Sequence, residues 1–123
     1  MGRIKVELLT RVEAFSDRIV DVVDVVEVLE KHGRSRRIID QITGSGTSVG
    51  ANIFEADEAL SRADFCKTIG IVLKELNETR FWIRMISRRK WLPAARLGPL
   101  QAESDELRRI LGTILTRSRQ RPD

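Results

Sequence analysis

The chain has 123 residues, 41% hydrophobic and 33% charged, which fits one ordered domain with a core and is too short for two. No apolar run has the length to span a membrane, the N-terminal residues lack the apolar core of a signal peptide, and Cys66 is the sole cysteine, which excludes an internal disulfide and a cysteine zinc cluster. The net charge of +4 is uneven: residues 1–33 hold five basic and seven acidic groups, whereas residues 34–123 hold seventeen and eleven, mostly arginine, a composition that suits phosphate binding and equally a solvated surface.

A cytoplasmic, all-α protein follows from the patterning, with residues 1–123 forming a single domain. In the first segment, Leu8, Val12, Phe15, Ile19, Val22, Val26 and Leu29 step by four and three, an apolar stripe on one helical face. The period predicts a helix over about 5–32, ended by His32-Gly33, with Gly33 as C-terminal cap. In the second, Ile39, Ile42, Gly46, Val49, Ile53, Ala56 and Leu60 keep the same step through a run of glycines and serines. A loop has no reason to preserve that phase, so a helix is expected over about 35–60. Each interior glycine costs about 1 kcal/mol relative to alanine, and close approach of another helix would offset it.

Ser61-Arg62-Ala63-Asp64 has the form of a capping box opening a third helix, about 62–90, with Ile69, Val72, Leu76, Ile83 and Ile86 on one stripe. Cys66, Leu73, Phe81, Trp82 and Met85 widen its apolar surface, which points to self-association. Trp91-Leu92-Pro93 to Gly98-Pro99 is expected as a connector. Leu100, Leu107, Ile110, Leu111, Ile114 and Leu115 mark a fourth helix, about 99–118. Short connections then imply an antiparallel up-down-up-down four-helix bundle.

Gly46-Thr47-Ser48-Val49-Gly50 matches the G-x-S-x-G pattern of serine hydrolases. That elbow needs a preceding strand and a suitably placed histidine, and the chain has only His32, so a helix-packing Ser48 is the stronger reading. The glycine spacing fits neither a dinucleotide fingerprint nor a P-loop. Ser45, Ser48, Asn52 and Glu55 share one face of the second helix, and Glu75, Asn77, Glu78 and Thr79 cluster in the third. Di-iron bundles would need Glu-x-x-His, which is missing, so these groups are expected to bond one another or arginines across helices or subunits. No catalytic residue, metal or cofactor is expected. An up-down-up-down bundle gathers Arg34, Arg36 and Arg37 with Arg88, Arg89 and Lys90 at one end. It gathers Arg3, Lys5, Arg62, Arg117, Arg119 and Arg121 at the other, and each cluster is a candidate phosphate site.

Gln41-Ile42, the run Ser45 to Ile53 and Glu55-Ala56, together with Asp64-Phe65 and the run Lys74 to Arg84, resemble the paired signatures of the bacterial four-helix bundle proteins encoded in intervening sequences of large-subunit ribosomal RNA genes. The resemblance spans roughly residues 8 to 118. In one departure, Gly44 stands where that family commonly has a basic residue. The resemblance implies a homo-oligomer, a pentamer of bundles. It also implies kinship with the accessory subunit of diversity-generating retroelement reverse transcriptases, a basic pentameric barrel that binds nucleic acid and the polymerase. On this footing Gly46, Ser48, Gly50, Asn52, Glu55, Asn77, Glu78 and Trp82 would serve bundle or subunit packing. Arg34, Arg36, Arg37, Arg88, Arg89, Lys90, Arg117, Arg119 and Arg121 would serve RNA or DNA. The expected function is non-catalytic nucleic-acid binding, with a protein-interaction or accessory-subunit role as the alternative.

Overall fold

The computed structural model describes residues 2–29 and 36–121. Four helices follow in order: α1 (Val6–Leu29), α2 (Arg36–Asp57), α3 (Arg62–Arg88) and α4 (Ala94–Gln120). Each packs on the next in the chain, α4 closes back on α1, and the diagonal pairs lie farther apart across the shared core, so the helices form a square ring. Cross-helix bonds give the directions. Ile4 and Arg3 at the start of α1 bond Asp57 at the end of α2, and Glu27 near the end of α1 bonds Arg36 at the start of α2. Ser45–Thr79 and Arg80–Asp105 join residues well inside their helices across short connections that could not span parallel neighbours, so these pairs are antiparallel too.

The apolar stripes turn inward as their spacing requires. Val12, Phe15, Ile19, Val49, Ile53, Ile69, Val72, Leu76, Ile83, Leu107 and Leu111 are all fully buried. At about 1.5–3 kcal/mol for each large apolar side chain, this burial is the main force holding the ring closed. Pairing of hydroxyls lets polar groups share the core: Ser45 and Thr79, both buried, share a 2.9 Å hydrogen bond between α2 and α3.

The glycine-rich stretch is helical throughout. A Cβ on Gly46 would run into the branched carbons of Ile19, and one on Gly50 would lie 2.7 Å from Ser16 Oγ. Nothing stands within 4 Å of a Cβ placed on Gly44. The space left by Gly46 and Gly50 admits Ser16 of α1, whose hydroxyl donates to the Gly46 carbonyl (2.7 Å) and accepts from the Gly50 N–H (2.9 Å). Those two backbone groups are the pair that an α-helix would join to each other. A neighbouring side chain therefore bonds both members of one rung of α2.

Three boundaries differ from expectation. Helix α2 stops at Asp57 rather than 60, and Leu60 is 94% exposed instead of extending the stripe. The last turn tightens to i→i+3 bonds at Glu58 and Ala59, the Asp57 carbonyl accepts from Arg3 N, and Leu60 N donates to Asp64 Oδ2. Leu60 thereby belongs to the capping of α3, where the Asp64 N–H also bonds Ser61 Oγ at 3.1 Å. Helix α3 ends at Arg88, and the chain turns through Lys90 at φ 58°, with Trp91 N bonding Ile86 O and Lys90 N bonding Ser87 O. This is a Schellman turn with lysine where glycine is usual.

The third difference is larger. Helix α4 begins at Ala94, and Gly98-Pro99 lies inside it rather than in a connector. Pro93 supplies the cap, its carbonyl accepting from Arg96 N and Leu97 N. Pro99 sits early in the helix and on its exposed side, so it removes one backbone bond near an end while Leu97 and Leu100 remain buried in phase. Leu97, three residues before Leu100, carried the signal in the sequence.

The expected His32-Gly33 cap and the end of the first helix beyond Leu29 lie outside the described residues, as does Arg34. Among the described residues no helix is long and apolar enough to cross a membrane.

Candidate nucleic-acid interface

Residues 2–5 form an arm that fixes one end of the bundle. Arg3 N and Ile4 N bond the Asp57 carbonyl and carboxylate, Arg3 Nε bonds the Ala59 carbonyl at 2.9 Å, and Ile4 is buried. The arm brings Arg3 and Lys5 beside the start of α3 and the end of α4. There, α1 and α4 make the thinnest contact of the ring and leave a groove of about 720 Å³. Its floor is apolar, made by Ile4, Leu8, Phe65, Ile110 and Ile114. Six basic residues line it, namely Arg3, Lys5, Arg11, Arg62, Arg117 and Arg121, against a single acidic one, Glu7.

Arg11 spans the seam above this groove. Its guanidinium donates Nε to Glu103 Oε2 (2.8 Å) and Nη2 to Glu103 Oε1 (2.7 Å), and reaches Glu106 at 2.9 Å. The two-pronged hydrogen bond holds the Glu103 carboxyl below the usual carboxylate range against the opposing effect of its partial burial, and raises the already high value of Arg11. Lys5, Arg117 and Arg121 have no ion-pair partner among the described residues. Their charge faces solvent at the rim.

The groove joins five of the six residues assigned from sequence to that end; Arg119 is exposed but does not line it. The opposite end carries Arg36, Arg37, Arg88, Arg89 and Lys90, all exposed. Arg36 is held by Glu27 at 2.7 Å, with Asp40 at 3.7 Å, so part of that cluster's charge is neutralised.

Among the described residues, Ser45 and Thr79 bond across α2 and α3 as expected, while Asn52, Asn77 and Trp82 bond within their own helices. Asn52 Nδ2 donates to the Ser48 carbonyl (2.9 Å) and hydroxyl (3.2 Å) one turn back along its own helix. Trp82 Nε1 donates to Glu78 at 3.2 Å, again within one helix. Asn77 accepts from Arg80, which in turn holds Asp105 of α4 through two nitrogens. Glu55 is exposed. These spacings of three and four favour intrahelical pairs over partners on other helices. Ser48, mid-helix and bonded to Asn52, lies on no strand-to-helix turn. Gly46 and Gly50 serve the α1–α2 seam within the chain. Among the described residues no group of three or more His, Cys, Asp or Glu is placed to hold a metal ion.

Large apolar side chains remain exposed on the flanks: Phe54 on α2, and Ile71 and Phe81 on α3, where Phe81 packs edge-to-face on Trp82 at 4.9 Å. Two residues escaped sequence reasoning. Ser16 had no local signal, because its role depends on glycines of another helix. Arg11 had one: Glu103 and Glu106, three apart, form a double acceptor on the helix that a four-helix ring must bring against α1.

The model of the 23S rRNA-intervening sequence protein family matches residues 9–113. The chain belongs to that family. Its fold is similar to the crystal structure of a protein of unknown function from the S23 ribosomal protein family of Bacteroides thetaiotaomicron. The two are 33% identical, with a TM-score of 0.80 over 88% of this chain and 97% of the other. No curated protein matches the chain. The matched region includes both signature runs and all but the ends of the bundle. The arm and the last residues of α4, which supply Arg3, Lys5, Arg117 and Arg121 to the groove, fall outside it.

Proposed function

We propose that this protein is a non-catalytic, self-associating bundle that binds nucleic acid, RNA in the first place, through its basic surfaces. The observation that carries this reading is the convergence of six basic side chains, from the arm, α1, α3 and α4, on one groove. Arginine forks at the rim suit phosphate oxygens, and the cations without partners gain most from meeting them. The family to which the chain belongs takes its name from intervening sequences of 23S rRNA, which agrees with an RNA partner. The cluster of Arg88, Arg89 and Lys90 is a second, weaker contact. A gel-shift series with structured RNA at rising salt tests the proposal. Binding should be tight at low salt and fall with a log–log slope of about −0.9 for each phosphate contact in a duplex. Absence of binding at low salt would refute it.

Self-association is supported by the exposed Phe54, Ile71 and Phe81. Five copies are what the family resemblance implies. Light scattering that finds a monomer at micromolar concentration would remove this part. The same exposed residues favour a second reading, an accessory subunit that docks on another protein. Capture of a protein partner that survives nuclease treatment, and is lost in Phe81→Ser, would support it.

A further inference from the structure

We infer that the groove between α1 and α4 takes unpaired nucleotides of RNA, with bases on its apolar floor and phosphates on its arginine rim. The inference rests on the nucleic-acid reading above and specifies the form of the ligand. The groove couples two surfaces that a purely electrostatic contact does not need together. Leu8, Ile110 and Ile114 are only half-buried, so an apolar strip faces solvent at the bottom of a cationic cleft. Covering such a strip is favourable by about 25 cal/mol per Å². Around it, Arg3 and Arg11 are held in place by the Ala59 carbonyl and by Glu103, while Lys5, Arg117 and Arg121 keep their charge for a ligand.

An RNA duplex presents phosphates but keeps its bases stacked inside, so it would touch the rim and leave the floor wet. An unpaired strand turns its bases outward and can fill both. The floor is aliphatic apart from Phe65, itself buried, and the groove's non-basic polar lining is limited to Glu7 and Ser118. Recognition should therefore depend on strandedness and little on base identity.

Fluorescence anisotropy with a labelled unstructured RNA oligonucleotide, free and annealed to its complement, tests this. The single strand should bind at least about tenfold more tightly than the duplex, a gap that covering roughly 55 Å² of the apolar strip supplies. Ile114→Gln should weaken single-strand binding about five- to tenfold and leave duplex binding unchanged, whereas Arg117→Gln with Arg121→Gln should weaken both. Ile110→Gln, also at a half-buried position, serves if circular dichroism shows the first variant unfolded. Equal affinity for both forms, with the arginine variant weakening each, would overturn the inference and leave the proposed function standing. If neither RNA form binds while an acidic amphipathic peptide does, and that binding is lost in Ile114→Gln, both fall.

Discussion

Helix α1 meets its two neighbours in opposite ways. Against α2 it packs by the absence of side chains: Gly46 and Gly50 clear the way for Ile19 and for the Ser16 hydroxyl, which bonds the backbone of α2 directly. Against α4 it is held off, and the gap is crossed by long side chains, Arg11 reaching Glu103 and Glu106. One seam is short-range and stereospecific, the other is open, charged and sensitive to salt. The contrast gives the glycine-serine signature a packing role and makes the α1–α4 gap the place proposed above for a ligand. The α1–α2 seam is closed at Ser16, although a cleft of about 760 Å³ lined by Thr10, Glu13, Asp17 and Phe54 runs along its outer side without a basic residue, whereas the α1–α4 gap is lined by six basic residues.

The largest expected effect comes from filling the closed seam. Gly46→Leu should lower stability by about 3 kcal/mol or more, because the added atoms meet the branch point of Ile19 and not a flexible tip. Urea denaturation followed by circular dichroism measures this, and an unchanged midpoint would mean that the seam is not close-packed. Ser16→Ala should cost about 1 kcal/mol: it removes two hydrogen bonds, but the Gly50 N–H and the Gly46 carbonyl are helical partners of each other and are not left orphaned.

At the open seam, Arg11→Ala should cost about 0.5–1 kcal/mol at low salt and less at high salt, as expected for a partly exposed ion pair. The same pair gives a pH signature. The folded-state value of Glu103 is lowered, so its contribution is fully present above the ordinary glutamate value of about 4.3 and is lost as pH falls through the lower folded value. Thermal melts from pH 6 to 2 should show a steeper acid loss in the parent than in Arg11→Ala; parallel curves would dissociate Arg11 from the effect. The smallest change sharpens the comparison from the other side. Gly44→Ala, where a Cβ meets nothing, should raise stability by about 0.5–1 kcal/mol, the helix-propensity gain with no packing penalty.

Much of this was legible in the residues. The unbroken phase from Ile39 through Gly46 to Ala56 identified a helix through a stretch that looks like a loop, and the same periodicity defined α1 and α3. The grouping of basic residues by bundle end followed from topology alone and holds for the groove, except at Arg119. Less legible were the ends of elements. Leu60 has the spacing to extend α2, but the Arg3 N–H takes the last carbonyl and Asp64 takes Leu60 for the next cap. Pro99 reads as a breaker, yet near a helix start and on the outer face its cost is one backbone bond, which the buried Leu97 and Leu100 outweigh.

The sequence by itself determined the helices and their inward faces, because a period of 3.6 residues is a local property written in every turn. It also pointed to a close helix approach at the glycines of α2, which holds at Gly46 and Gly50 but not at Gly44, where a Cβ meets nothing. Only the tertiary structure decided which neighbour that is, that Ser16 fills the space, and that α1 and α4 stand apart to leave a basic groove with an apolar floor. Those features depend on pairs of residues tens of positions apart, and such pairings leave no trace in the local pattern of either partner.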